Sequence, residues 1–233
     1  MDVAARLSAA VALAGRFPAL SGVDLSVAIG EVVAVEGSNG AGKTSLLRAC
    51  AGLLPVRSGT IEILGHDLRA DPAAVRRRVG VLGHAPGLYD ELNATENVRF
   101  AVRAAGAPVD LVQSSLERLG IRDRLATIET GRLSAGQRRR VALAAVMARA
   151  PELWLLDEPH AGLDAATRQV VDTVIDEAVR GGATIIFTSH EQTLAVAMAD
   201  RVVTLSGGRV RDARTGGRRA KLAAVPEGGS HVA

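Results

Sequence analysis

Apolar runs recur along the chain, each bounded by glycine, proline or charge. Residues 23–29 and 31–36 read as two strands joined tightly at Gly30. A glycine-rich loop leads from the second into an apolar helix from about Lys43 to Ala51. Residues 60–64 and 79–82 read as further strands. From about 84 to 150 the pattern turns helical. Asn93 with Glu96 has the spacing of a capping box, and Gly106 is a stop. Residues 110–119 form a second helix stopped by Gly120, and Ser134 to Arg149 a third stopped by Pro151. Strand character returns at 153–156, 183–188 and 201–205. Between them Asp164 caps a helix whose apolar stripe is Val170, Val171, Val174, Ile175, Ala178 and Val179, ended by Gly181 and Gly182.

This order, together with the G-x-x-x-x-G-K-T run at 37–44, predicts an α/β fold: a P-loop NTPase (RecA-like) core with a mixed, largely parallel sheet and an inserted helical subdomain. The expected domain is 1–212, with its core at about 1–83 and 151–212 and the helical subdomain at about 84–150. Residues 213–233, polar, glycine-rich and basic, read as a flexible tail. Hydrophobic residues make up 48% of the chain but aromatics only 2%, so Val, Leu, Ile and Ala must build the core. No apolar run is long enough to span a bilayer. Asp2, Arg6 and Arg16 interrupt any signal-peptide pattern, and a single cysteine, Cys50, excludes an internal disulfide. The net charge of +3 is small and partly in the tail, so nucleic acid is not an expected partner.

The chemistry begins at Gly37-Ser38-Asn39-Gly40-Ala41-Gly42-Lys43-Thr44, followed by Ser45, between a strand and a helix. Such a loop turns backbone N–H groups onto phosphate oxygens and adds the positive end of the helix. Lys43 brings a compact charge to the β and γ phosphates of ATP, and Thr44 offers a hydroxyl to Mg²⁺. Lys43 is one of only two lysines in an arginine-rich chain. The strand at 153–156 ends in Asp157-Glu158. Carboxylates at the end of a buried strand are costly to desolvate. Asp157 is the expected support for Mg²⁺ through water, and Glu158 the expected general base on the attacking water.

Leu133-Ser134-Ala135-Gly136-Gln137 stands about 20 residues before that strand. Here the sequence resembles the ABC ATPase family, whose signature reads LSGGQ; Ala135 replaces the first Gly. Ala161-Gly162-Leu163-Asp164 is similar to the family's D-loop, and Ser189-His190 to its switch histidine. The motifs occur in the family's order over about residues 20–210. The resemblance implies two subunits facing head to tail, as a homodimer or a pseudo-symmetric pair. Ser134, Gly136 and Gln137 of one then serve the other's nucleotide, and His190 contacts the γ-phosphate. It further implies an integral membrane permease as partner and a peripheral place on the cytoplasmic membrane face. Two positions depart from the family. His84 stands where its Q-loop glutamine belongs, and Ala14 where an aromatic usually stacks on adenine. Phe17 is the nearest substitute, Tyr89 being too far along the chain.

Together, Gly37-Ser38-Asn39-Gly40, Leu82-Gly83-His84-Ala85-Pro86-Gly87 and the signature run resemble one branch, the ATPase of cytochrome c maturation, or haem exporter. No C-x-x-C-H pattern is present, so direct haem binding is not expected. The alternatives are the ATPase of another ABC exporter, or a soluble ABC ATPase with a non-membrane partner. A plain P-loop kinase or GTPase would lack the signature and switch histidine.

Overall fold

The computed structural model describes residues 2–218. In chain order the elements are β1 (Val3–Ala14), β2 (Phe17–Ala28), β3 (Val32–Glu36), α1 (Lys43–Cys50), β4 (Val56–Ile63), β5 (His66–Asp67) and β6 (Val79–Leu82). Next come α2 (Ala94–Ala104), α3 (Val112–Arg118), α4 (Arg124–Thr127), α5 (Ala135–Arg149), β7 (Leu153–Asp157), α6 (Ala165–Arg180), β8 (Thr184–Thr188), α7 (Gln192–Met198), β9 (Arg201–Ser206) and β10 (Arg209–Thr215).

Six strands form one sheet in the order β10-β9-β3-β8-β7-β6, parallel except for the edge pair β10–β9. Strands β3, β7 and β8 are buried at every position, as expected where both faces of a parallel sheet are covered. Their side chains alternate between two cores. Val32, Ala34, Trp154, Leu156, Ile185 and Phe187 point toward α5, α6, α7 and the helical segment. Val33, Val35, Leu153, Leu155 and Ile186 pack with α1 and a second sheet. The lone tryptophan fits because its indole N–H donates to the Pro151 carbonyl at 3.0 Å.

The second sheet, antiparallel and ordered β2-β1-β4-β5, was not anticipated. Strand β1 is rich in alanine, which has weak strand preference, and its alternation is broken by register shifts and by Ala9 at φ 44°. Asp24 secures that irregularity by accepting from the Ala9 N–H at 2.8 Å. The residues on either side of Gly30 do not pair as a hairpin. The chain leaves one sheet there and enters the other.

The segment between β6 and β7 is helical, as predicted. Asn93 and Glu96 close the capping box at the start of α2, and α2 and α3 pack on α5. The helix expected over 110–119 begins instead as a 3-10 turn, Val109–Leu111, because Pro108 precedes it in extended conformation. Helix α7 and strand β10 are additions to the sequence reading.

Strand β10 runs past the boundary placed after residue 212, to Thr215. Its reach is fixed by pairing with β9, where Thr215 faces Arg201. Beyond it, Gly216, Gly217 and Arg218 donate backbone N–H groups to Asp200, Val196 and Ala199. The buried Arg218 guanidinium lies 3.0 Å from Asp176 of α6 and 3.3 Å from Asp200. Residues 219–233, the rest of the expected tail, lie outside the described residues. Among the described residues no helix is long and apolar enough to cross a membrane.

Arg218→Ala removes an ion-pair partner from Asp176 and Asp200, while Asp200 keeps the bond from the Val32 N–H at 2.9 Å, and is expected to lower stability by about 2 kcal/mol. A shift of the urea midpoint to lower concentration measures this; an unchanged midpoint means that the Arg218 contacts contribute nothing.

Candidate nucleotide site

Parallel register aligns the carboxyl ends of four strands. Asp157 pairs with Thr188, Val35 with Thr188, and Leu82 with Leu156. The residues that follow β3, β6, β7 and β8 therefore emerge at one edge, where open α/β sheets bind ligands. A cleft of about 450 Å³ lies there. It is lined by Asn39, Gly40, Gly42, Lys43, Thr44, Ser45, His84, Asp157, Glu158 and His190, together with Ala14, Phe17, Pro18 and Ala19.

Backbone geometry explains the glycines. Gly37 has φ 148° and touches the Leu205 carbonyl so closely that a Cβ would collide with it. Gly42 caps α1 at φ 106°, where a Cβ would sit 2.5 Å from the Ala19 carbonyl oxygen. The first intrahelical bond runs from the Leu46 N–H to the Gly42 carbonyl, which leaves the preceding N–H groups at the helix start without intrahelical partners. No acidic residue occupies the first turn. The Lys43 ammonium is buried and donates to the carbonyls of Gly37 at 2.7 Å and Ser38 at 3.1 Å. An ammonium has three N–H donors, so one is left over.

Asp157 is the hub of the acidic side. Thr44 Oγ1 donates to its Oδ2 at 2.8 Å, and Thr188 Oγ1 to its Oδ1 at 2.7 Å. The Thr188 hydroxyl oxygen also accepts from the Glu158 backbone N–H at 2.9 Å. Glu158 itself sits at φ 54°, a strained value for a side-chain-bearing residue. His190 Nε2 lies 3.0 Å from Glu158 Oε1, within ion-pair distance but outside hydrogen-bond alignment.

Arg139 holds this edge from beneath, and sequence reasoning passed over it. It is 6% exposed. It donates to the carbonyls of Gly83 at 2.8 Å, His84 at 3.3 Å and Glu158 at 2.7 Å, and also to that of Asp157. Burial pulls its pKa below the usual guanidinium value, opposed by the nearby charges of Asp157 and Glu158. Its spacing after Ser134 on one helix was readable. The four carbonyls it gathers come from two other loops and were not.

The remaining predicted residues fall outside the cleft. Ser134 caps α5 in a full capping box with Gln137: Gln137 N–H donates to Ser134 Oγ at 3.2 Å, and Ser134 N–H to Gln137 Oε1 at 2.8 Å. The S-x-x-Q spacing signals this box. A Cβ on Gly136 would stand 2.9 Å from the Gly162 carbonyl oxygen, so the helix start lies against the loop that leads to Asp164. Asp164 caps α6 by accepting from Thr167 N–H at 2.8 Å, and that bond holds its carboxyl below the usual range. None of Leu133, Ser134, Ala135, Gly136, Gln137 or Asp164 lines the cleft. Gly37 and Ser38 face a neighbouring cavity, and Ala41 is buried with its carbonyl bonded to Gly208 N–H. Tyr89 packs edge-to-face on Phe100 at 5.0 Å, away from the cleft lining.

Fold and cleft together define a P-loop nucleoside triphosphatase. The family described as ABC transporter matches residues 20–161. The chain is 44% identical over 193 residues to the cytochrome c biogenesis ATP-binding export protein CcmA of Bordetella bronchiseptica, covering 81% of this chain and 85% of that protein. It is 36% identical to the ABC transporter ATP-binding protein NatA of Bacillus subtilis, covering 82% and 80%. Among solved structures it resembles an ATP-binding subunit of an ABC transporter, with TM-score 0.83, 28% identity and 95% of each chain covered. A dimeric ATP-binding cassette bound to ADP and Pi has the same fold, with TM-score 0.83 and 24% identity, covering 91% of this chain and 98% of that one. The chain belongs to the ABC transporter family as an ATP-binding, ATP-hydrolysing subunit.

Arg139→Met removes every carbonyl contact of the guanidinium while keeping much of its volume. ATP hydrolysis is expected to fall at least about tenfold, the effect of roughly 1.4 kcal/mol on a barrier, with ATP binding largely kept. Parallel turnover and calorimetric binding measurements check this; equal losses in both place Arg139 in binding instead.

Proposed function

We propose that this chain is the ATPase of an export system of cytochrome c biogenesis, in the haem-exporter branch, and that two copies close around two ATP molecules. The observation that carries the paired mechanism is the division of the motifs. The phosphate loop, Asp157, Glu158, His84 and His190 share one cleft, whereas the Ser134 helix start and Asp164 lie outside it. A second copy, turned head to tail, would complete the site. The dimeric cassette of the same fold supports this arrangement.

In this reading the core is the phosphate-loop part of the domain and residues 84–150 its helical subdomain. ATP lies with its phosphates against Gly40, Ala41, Gly42, Lys43, Thr44 and Ser45. Phe17, 79% exposed on the lip beside Ala14, supplies the face for adenine. Mg²⁺ fits the oxygen donors present: Thr44 Oγ1 directly and Asp157 through water. A hard cation that binds mainly through phosphates and water needs no cage of protein carboxylates, and no group of three or more metal-ligating side chains occurs among the described residues. When bound, Mg²⁺ would supply positive charge against that developing on the phosphates.

Glu158 takes the proton of the attacking water, and His190 beside it holds the γ-phosphate and the carboxylate in one place. The strained backbone of Glu158, held through its N–H by Thr188 and through its carbonyl by Arg139, keeps the carboxylate aimed into the cleft. His84 reports the state of this edge to a membrane partner through the loop that Arg139 grips. The chain would then sit peripherally on the cytoplasmic face of the membrane, bound to permease subunits that carry the cargo chemistry. It would bind neither nucleic acid nor haem itself.

Glu158→Gln keeps the shape and removes the base. Turnover should drop by at least about a hundredfold, and ATP should shift the protein to a dimer in size-exclusion chromatography. Normal turnover would remove Glu158 from its assigned role. Deletion of the gene in its host should abolish covalently haem-stained c-type cytochromes, with restoration by the wild-type copy. Normal cytochromes would direct the assignment to another exporter.

A further inference from the structure

The phosphate loop is entered through a carboxylate. Glu36 is the last residue of β3, adjacent to Gly37, and its side chain is 7% exposed. A carboxylate so placed is costly unless paired. Arg214 of β10 supplies the pairing, with Nη2 2.7 Å from Glu36 Oε2. The sheet makes this reach possible. Glu36 faces Thr204 on β9, and Arg214 faces Val202 two residues earlier on the same strand, so these side chains stand on one face. The other oxygen, Oε1, is buried without a hydrogen-bond partner. Glu36 and Arg214 both line a cavity of about 250 Å³ shared with Ser38, Ser189 and His190. His190 lines this cavity and the nucleotide cleft alike.

We propose that Arg214 is a positioning residue for the nucleotide: it cancels the charge of Glu36 behind the phosphate loop and so allows a triphosphate to be seated there. The proposal rests on the triphosphate lying on that loop. The loop attracts phosphate with one ammonium, Lys43, and the partial positive charge of a short helix start. A bare buried carboxylate next to Gly37 would oppose both, because Coulomb interactions persist over longer distances where water is scarce. Arg214 is itself 40% exposed and comes from the edge strand, outside all the motifs that mark the site. Strand β10 thereby contributes to the electrostatics of the loop that follows β3.

The test is calorimetric titration of the full chain with Mg-ATP, with thermal melts to verify folding. Arg214→Met should weaken ATP binding about tenfold, or roughly 1.4 kcal/mol, and Arg214→Lys should bind like wild type. The double variant Glu36→Gln/Arg214→Met should recover the wild-type affinity. Glu36→Gln alone leaves the guanidinium charge uncancelled and should bind ATP more tightly than wild type, which a packing role would not produce. A folded Arg214→Met with unchanged affinity overturns the proposal, as does a double variant that stays as weak as Arg214→Met. If Arg214→Met does not fold, Glu36→Gln alone decides, and unchanged or weaker binding overturns the proposal. A wild-type chain that binds no ATP would overturn the phosphate-loop reading, and this proposal with it.

Discussion

The Asp157 carboxylate is the point on which the site depends. Each of its oxygens accepts one hydroxyl, from Thr44 on the first helix and from Thr188 at the end of a neighbouring strand. That tie fixes the distance between the phosphate loop and the strand that leads into Glu158. It also satisfies a charge that the fully buried strand β7 would otherwise strand in an apolar layer. Thr188 then uses the same oxygen to hold the Glu158 backbone, so the position of one carboxylate is inherited by the next.

Arg139 extends this constraint into the helical segment. Helix α5 starts at the signature serine and, one turn further on, sends a guanidinium under the loops that carry Asp157, Glu158 and His84. A buried guanidinium bonded to several carbonyls resists small displacements, since each lost bond leaves a polar group unsatisfied in a dry place. Movement of the signature end of α5 is thus tied to its own chain's acidic edge. On the proposed pairing, the helix start offered to a second copy and the acidic edge of the first would move as one mechanical unit.

Much of this was legible before any coordinates. The phosphate loop, the Asp157-Glu158 pair and the order of motifs are local in sequence, and each carries its spacing with it. The capping boxes at Asn93 and Ser134 are likewise short-range patterns. What stayed hidden lacks a local signal. Strand β1 is alanine-rich and irregular, and away from its turn it depends on partners up to 25 residues away in β2 and 44–58 residues away in β4. Strand β10 is polar and mostly exposed, so its composition resembles a tail although its pairing with β9 makes it a strand. Arg218 reads as one more basic residue, and only α6 and Asp200 turn it into an anchor.

The sequence by itself determined the class of chemistry, because backbone donors, a compact ammonium and a carboxylate pair need particular residues at fixed short spacings. Tertiary structure decided which of those residues meet. Parallel register gathered four strand ends into one cleft and left the signature helix start outside it. Helix packing brought Arg139 to carbonyls, and the antiparallel β10–β9 pair brought Arg214 to a carboxylate, all far from them in the chain. Pairing across a sheet depends on register and burial summed over many residues, and neither is written at any single position.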